Sequence, residues 1–351
     1  MIESKRGNLL NADVEALVNT VNTVGVMGKG IALQFRKAFP ANYTAYKRAC
    51  DEDEVRPGKM FVFQTGQIEN PKLIINFPTK RHWKGKTRVE DIESGLVDLI
   101  RVLREADVKS VAVPPLGCGN GGLEWSKVRP LIEAALAPLD DVEIQLFEPT
   151  GAPDPAEQRI ATTRPNMTLG RAVLLAALET YRADPAAQIT HLVVQKLAYL
   201  LQAAGQPLRL NFAKGQFGPY AENLNHVLQA IDGHFIKGVG DRTAEVTMEL
   251  DDEAVHEAWL FLGDDADSRR RIERVYHLIN GFESPLGLEL LATVHWTAHR
   301  EGSTDPAEAL EQVGAWTERK KRTFRSRHVR AAWQRLDDEQ WLPPQLHAAR
   351  H

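Results

Sequence analysis

Residues 16–33 read ALVNTVNTVGVMGKGIAL. An apolar, β-branched run ends in Asn22; a loop punctuated by Gly28, Lys29 and Gly30 follows, and Ile31, Ala32 and Leu33 then open a helix. That order places backbone N–H groups and a helix N-terminus at the C-terminal end of a strand, which suits a phosphate or pyrophosphate. Moving outward, a second loop of the same character, PPLGCGNGG at 114–122, follows a strand at 110–113 and precedes a helix near Trp125. Glycines in a turn can serve only to permit positive φ. The density at Gly117, Gly119, Gly121 and Gly122 exceeds what one turn needs, and two such loops predict a cleft that grips a diphosphate from both sides.

The surrounding text alternates short strands and helices. Strand-like runs lie at 16–21, 60–65, 73–77, 111–113 and 142–147, and helical patterns at 31–38, 89–105 and 126–136. This predicts an α/β domain over residues 1–150, with helices covering a mixed sheet and ligands held beyond the strands' carboxyl ends. Residues 148–165 carry four prolines and no long apolar run, so 151–167 read as a linker. Amphipathic patterns at 169–181, 189–204, 220–231, 252–262, 271–279, 286–299 and 306–320, with one β-like stretch at 244–250, predict a mainly α-helical second domain over 168–351.

A chain of 351 residues is longer than one core usually supports, in keeping with two domains. At 43% hydrophobic and 26% charged residues the composition is that of an ordinary globular protein, and a net charge of -4 argues against binding nucleic acid by bulk charge. Two cysteines, Cys50 and Cys118, supply neither a disulfide framework nor a zinc motif, so no metal or cofactor is expected. MIESKRGNLL lacks the stages of a signal peptide and no run has the length of a membrane span, which leads to the expectation of a cytoplasmic protein without membrane contact.

Asn19 and Asn22 lie three apart and so on opposite faces of a regular strand. Asn19 is expected to close the turn, and Asn22, at the mouth, to offer its amide to a sugar hydroxyl. Cys118 is expected to be a small turn residue rather than a nucleophile, because no histidine lies near it in sequence. Lys80 follows the strand at 73–77, within a run of cations: Arg81, Lys84, Lys86 and Arg88. Like-charge repulsion and desolvation are expected to depress its pKa, and a neutral amine can attack a sugar carbon or form a Schiff base with an opened ribose.

The segments GNLLNADVEALVNTVN (7–22), GVMGKGIALQF (25–35), INFPTKRHWKG (75–85) and PPLGCGNGGLEW (114–125) together resemble the macrodomain family, a three-layer α/β/α fold that binds ADP-ribose. More closely they are similar to its DarG branch, antitoxins that remove ADP-ribose from DNA modified by a DarT toxin. The resemblance implies that Asn8, Leu9, Asn22, Gly28, Lys29, Gly30, Ile31, Ala32, Thr79, Gly117, Cys118, Gly119, Asn120, Gly121, Gly122 and Leu123 contact ADP-ribose. It also implies that Lys80 attacks the anomeric carbon of the distal ribose, in an adduct later released by water, with the base most simply thymine in single-stranded DNA.

Two departures stand out. Related glycohydrolases carry an Asp in the second loop as acid/base, where this chain has Asn120, Gly121 and Gly122, so Glu124, a water or the leaving base must serve. Many macrodomains have Asp where Asn8 stands, so the bond expected from the adenine amino group loses its charge assistance.

Arg81, His82, Trp83 and Lys84 are read as a DNA lip, Trp83 stacking on a base and the cations following phosphates. In the second half, 196–220 is similar to helical antitoxin domains of the Panacea type, which implies toxin binding, with Gln216, Phe217 and Tyr220 as contact or scaffold residues; Leu197, Leu200 and Leu201 are expected in the core. The basic, aromatic-bearing tail at 316–336 reads as a solvated helix pairing with nearby acids, or as a nucleic-acid contact. Three activities thus stand open: glycohydrolysis with toxin binding, a non-catalytic ADP-ribose reader on a toxin-binding scaffold, and deacetylation of O-acetyl-ADP-ribose.

Overall fold

The computed structural model describes residues 1–151, 154, 157–184, 186–240 and 246–344. It divides into two units, Met1–Thr163 and Arg164–His351.

The first unit follows the order β1 (Ile2–Lys5), β2 (Ala16–Asn22), α1 (Gly30–Ala38), α2 (Pro40–Asp51), β3 (Phe61–Gln64), β4 (Leu73–Lys80), α3 (Val89–Glu105), β5 (Ser110–Val113), α4 (Trp125–Leu136) and β6 (Glu143–Phe147). Six strands form one sheet in the order β1-β6-β5-β2-β4-β3, parallel throughout except for the antiparallel β3–β4 pair. The alternation of side chains along β2 sets the layers: Ala16 and Val18 join the core under α3 and α4, whereas Leu17 joins Phe35 and Ala38 of α1. This is the expected three-layer α/β/α arrangement around a mixed sheet.

Two elements escaped the sequence reading. The edge strand β1 has only Ile2 packed against the core. The buried face of α2 is Asn42, Tyr46, Ala49 and Cys50, too polar and too small to give an apolar periodicity. Strand β4 also runs past the expected end at residue 77. Pro78 is tolerated there because pairing with β3 ends at Asn76, so no neighbour on that side requires its missing N–H.

The second unit is mainly helical: α5 (Leu169–Arg182), α6 (His191–Ala203), the hairpin β7 (Phe212–Gly215) and β8 (Gly218–Ala221), and α7 (Glu222–Ile231) are followed by the short pair β9 (Ile236–Lys237) and β10 (Glu249–Leu250). Then come α8 (Asp252–Leu262), α9 (Ala266–Ile279), α10 (Pro285–Arg300), α11 (Pro306–Trp316), α12 (Glu318–Thr323) and α13 (Ser326–Asp338). Helix α10 is buried continuously from Leu288 to Ala298 and forms the centre of the unit. Leu197, Leu200 and Leu201 lie in its core as expected.

The structure departs from the helix expected at 220–231, where residues 218–221 pair as β8 and the helix starts at Glu222. It also splits the helix expected at 306–320: Thr317 is extended and its hydroxyl caps α12 by accepting from the Lys320 N–H. Of the β-like stretch at 244–250, residues 244 and 245 lie outside the described residues, and Glu249–Leu250 forms β10.

A buried ionic cluster joins three of these elements. Glu289 on α10, 1% exposed, accepts two bonds from the Arg319 guanidinium at 2.8 and 3.1 Å and one from the Lys320 amine. Lys320 also donates to the Thr293 hydroxyl at 3.1 Å. Lys196, similarly buried, donates to the Pro219 carbonyl at 2.6 Å, and burial beside Lys320 brings its pKa down to about 7. Glu289 is therefore the carboxylate on which two of these cations converge. Glu289→Gln is expected to destabilise the second unit by about 3–5 kcal/mol, the usual cost of stranding a buried charge; urea unfolding of the variant against the parent measures it, and an unchanged midpoint would contradict the assignment.

Candidate functional site

The loops at 22–30, 80–88 and 114–124 all leave the C-terminal ends of parallel strands, β2, β4 and β5, and so gather at one edge of the sheet. The register between β2 and β4 slips there: Val21 pairs with Pro78 and Asn22 with Lys80, leaving Thr79 as the extra residue of a bulge. Bulges re-aim side chains at strand ends, and this one sets Lys80 directly beside Asn22.

Asn22 differs from its expected role. Its Oδ1 accepts from the N–H groups of Val24 at 3.0 Å and Val26 at 3.3 Å, its Nδ2 donates to the Val26 carbonyl at 2.5 Å, and the Tyr46 hydroxyl donates to its backbone oxygen at 2.5 Å. The side chain shapes the first loop, and one amide hydrogen remains for a sugar. Asn19 does not close a turn. It is fully buried in a chain of asparagines, its Nδ2 donating to Asn76 Oδ1 at 2.9 Å while Asn76 donates to Asn42 Oδ1 at 2.8 Å.

Past the loop, Lys29 occupies the N-cap position of α1 without a side-chain cap and points to solvent, while Gly30 takes φ +57°. Gly28 and Gly30 hold the turn, Ile31 and Ala32 begin the helix, and both side chains pack against the core.

The second loop is pinned from below and open above. Leu123 N–H donates to Gly117 O at 3.1 Å, Gly122 N–H to Gly119 O at 3.1 Å, and Thr87 N–H to Gly121 O at 3.0 Å. Among the described residues, the N–H groups of Gly119, Asn120 and Gly121 have no backbone acceptor, which leaves them for an anion. The two loops approach each other at Asn120, whose Nδ2 lies 3.1 Å from where a Cβ on Gly30 would stand. The Lys80 amine donates to the Asn120 carbonyl. Both glycine loops and Lys80 therefore meet at one residue.

Lys80 is partly buried, and burial alone lowers its pKa below the usual lysine value. The expected contribution of like charges is corrected here. Arg81 is held by Asp91, at the start of α3, at 3.0 Å, and the Lys84 amine sits over the Trp83 ring at 4.8 Å. Cys118 is no rival nucleophile: its thiol donates to the Leu116 carbonyl at 3.4 Å, and burial raises its pKa to about 11. Glu124 pairs with Lys127 at 2.9 Å on the exposed start of α4.

Asn8 caps a short 3-10 turn, its Oδ1 accepting from Leu10 N–H at 3.0 Å and its Nδ2 donating to Glu157 O at 3.4 Å, so that oxygen already holds one bond before any adenine arrives. Leu9 is in the core, leaving only its backbone for a ligand. Thr79 is buried and its hydroxyl donates to Val21 O at 3.4 Å. His82 and Trp83 stack at 5.5 Å, with Trp83 half exposed, and the Thr23 hydroxyl donates to Arg81 O at 2.7 Å, tying this turn to the first loop.

In the second unit Gln216 is exposed at the hairpin tip, and Phe217 lies under the Arg319 guanidinium at 4.7 Å. The Tyr220 hydroxyl accepts from Asn225 Nδ2 at 2.7 Å, which marks Tyr220 as scaffold.

Sequence reasoning missed Tyr46, Asn76 and Thr87. Thr87 is buried, its hydroxyl has no hydrogen-bond partner, and its methyl and hydroxyl lie against Gly117 and Gly121. No local pattern marks it in the sequence, where it lies five residues before Ile92, the next core position.

Comparison with known proteins gives a match to the Macro domain over residues 18–132. A protein of Thermus aquaticus named DNA ADP-ribosyl glycohydrolase is 47% identical over 358 residues, covering 99% of this chain and 98% of that one. A Thermosipho africanus protein named as a fusion of DNA ADP-ribosyl transferase and DNA ADP-ribosyl glycohydrolase is 35% identical over 158 residues, 41% of this chain and 40% of that one. Among solved structures, the macrodomain of Mycobacterium tuberculosis DarG is 56% identical with a TM-score of 0.42, covering 43% of this chain and 99% of that one.

Proposed function

The chain belongs to the family of DNA ADP-ribosyl glycohydrolases, and from that premise we propose that its first unit removes ADP-ribose from a DNA base with Lys80 as nucleophile. The observation that supports this most is the convergence of a partly buried amine and two glycine loops on Asn120. The loops' N–H groups and the N-terminus of α1 hold the diphosphate; Asn22 and Asn8 reach the ribose and adenine with the valences their loop bonds leave. The neutral Lys80 amine adds to the anomeric carbon as the C–N bond breaks. The bonding pair leaves with the base nitrogen, which takes up a proton, and the adduct loses one from the amine. The ribose ring of the adduct opens to a Schiff base, the ring oxygen taking a proton as the lysine nitrogen's pair forms the C=N bond, and water hydrolyses this imine, returning the lysine and free ADP-ribose.

The same reading takes thymine in single-stranded DNA as the modified base, with Trp83 as its stacking surface and Arg81, His82 and Lys84 beside it. By the fusion seen in the Thermosipho relative, the partner is a DNA ADP-ribosyl transferase toxin. The second unit binds it, with Gln216 and Phe217 at the contact. Among the described residues no helix is long and apolar enough to cross a membrane.

Incubation with ADP-ribosylated single-stranded DNA and, separately, with O-acetyl-ADP-ribose decides between the three activities. Free ADP-ribose from the DNA supports glycohydrolysis, acetate release points to the deacetylase, and binding without either product leaves a reader. The pH dependence follows from the lowered pKa of Lys80. Turnover is expected to rise with pH as the amine loses its proton, and to level off below the usual lysine value of 10.5; a profile flat from acid to alkaline pH would contradict it.

A further inference from the structure

Residues 318–330, ERKKRTFRSRHVR, contain seven Lys or Arg and one acidic residue, in a chain whose net charge is -4. The sequence leaves two readings of these cations open, pairing with nearby acids and contact with nucleic acid. Arg319 and Lys320 do pair, at Glu289. Lys321, Arg322, Arg325, Arg327 and Arg330 are exposed, and none of them forms an ion pair among the described residues. The apolar residues of the same stretch turn inward: Phe324 and Val329 are buried, as are Ala332, Trp333 and Leu336 further along α13. The surface is therefore a strip of charge without an aromatic or aliphatic anchor.

That composition discriminates between partners. Protein interfaces take most of their energy from a few residues desolvated in well-packed pockets, and this strip, whose Phe324 and Val329 are buried, has no exposed apolar residue to build such a pocket around its arginines. Guanidinium groups on a rigid helix suit phosphate oxygens, which they bind in bidentate pairs, and phosphate neutralisation needs no apolar contact. Arg327 and Arg330, three apart on α13, share one face, and Lys321, Arg322 and Arg325 continue the charge across the junction with α12.

We propose that this strip binds the phosphate backbone of single-stranded DNA without regard to sequence, as a second hold on the polymer that the first unit acts on. The choice of strand rests on the substrate reading above; the charge argument does not. The test uses the full chain and an unmodified oligothymidylate of about 20 nucleotides, with fluorescence anisotropy across a salt series. The parent is expected to bind with a log–log salt slope of about -3.5, or about 0.7 for each of five phosphates neutralised. The variant Arg322→Gln/Arg325→Gln/Arg327→Gln/Arg330→Gln is expected to lose at least about tenfold in affinity and most of that slope, with unchanged thermal unfolding, whereas the corresponding Lys variant keeps binding.

Equal affinity and slope in parent and Gln variant would overturn the proposal. So would displacement by polyglutamate as effective as by unlabelled oligonucleotide, since the strip would then be a general acceptor of acidic chains. Release of ADP-ribose from a modified mononucleotide is expected to be the same in parent and Gln variant, so a protein that binds the oligonucleotide yet fails to cleave overturns the glycohydrolase reading alone.

Discussion

Lys80→Ala is expected to lower release of ADP-ribose from modified single-stranded DNA by about 10³-fold or more, while the affinity for free ADP-ribose stays within about threefold. The reason is geometric. In the proposed reading the diphosphate is gripped by backbone N–H groups and a helix end that the substitution leaves in place, and the amine's own contact is with the Asn120 carbonyl. Lys80→Arg retains charge and length but presents no neutral nitrogen at ordinary pH, so it is expected to be equally inactive. Loss of affinity with little loss of turnover, read by single-turnover kinetics beside calorimetric titration, would make Lys80 a binding residue instead.

Gly121→Ala carries the second large effect, this time on binding. A Cβ at Gly121 would stand 2.2 Å from the Gly117 carbonyl oxygen and 2.3 Å from the Thr87 hydroxyl, neither of which is the end of a flexible side chain. The loop must shift, and with it the open N–H groups at Gly119 and Asn120 and the carbonyl that holds Lys80. Overpacking of this kind costs about 1–3 kcal/mol, or about 5- to 150-fold in ADP-ribose affinity if the strain is relieved by displacing the loop. Gly119→Ala serves as the control, since a Cβ there meets nothing within 4 Å and folding is expected to be unchanged. Equal affinity in Gly121→Ala and the parent would show that the loop does not set the grip.

Much of this was legible in the chain because local signals and fold agree. The valine-rich strands, the amphipathic α3 and both glycine loops announce themselves by period and composition, and parallel strands then place the loops at one edge. What could not be read depends on contacts distant in sequence. The bulge that leaves Thr79 unpaired is a matter of register between β2 and β4, and it is what sets Lys80 beside Asn22. The loop-shaping role of Asn22 could not be read either, because its hydrogen bonds to Val24 and Val26, and that of Tyr46 to its backbone, exist only once the loop has closed.

The charge run after Lys80 misled for a similar reason. Sequence shows Arg81 beside Lys80, but only the fold brings Asp91 to Arg81, leaving burial as the cause of the lowered lysine pKa. At the other end of the chain, the basic tail reads either as cations paired with nearby acids or as a nucleic-acid contact; the fold spends Glu289 on Arg319 and Lys320 and leaves the next five cations to solvent.

The most direct test of the central claim is to quench turnover of ADP-ribosylated single-stranded DNA with borohydride and map the modified peptide by mass spectrometry. Attack by Lys80 predicts a reduced ADP-ribosyl adduct on the peptide bearing Lys80, absent from Lys80→Ala; release of ADP-ribose at the parent rate by Lys80→Ala, or an adduct confined to another residue, would contradict it.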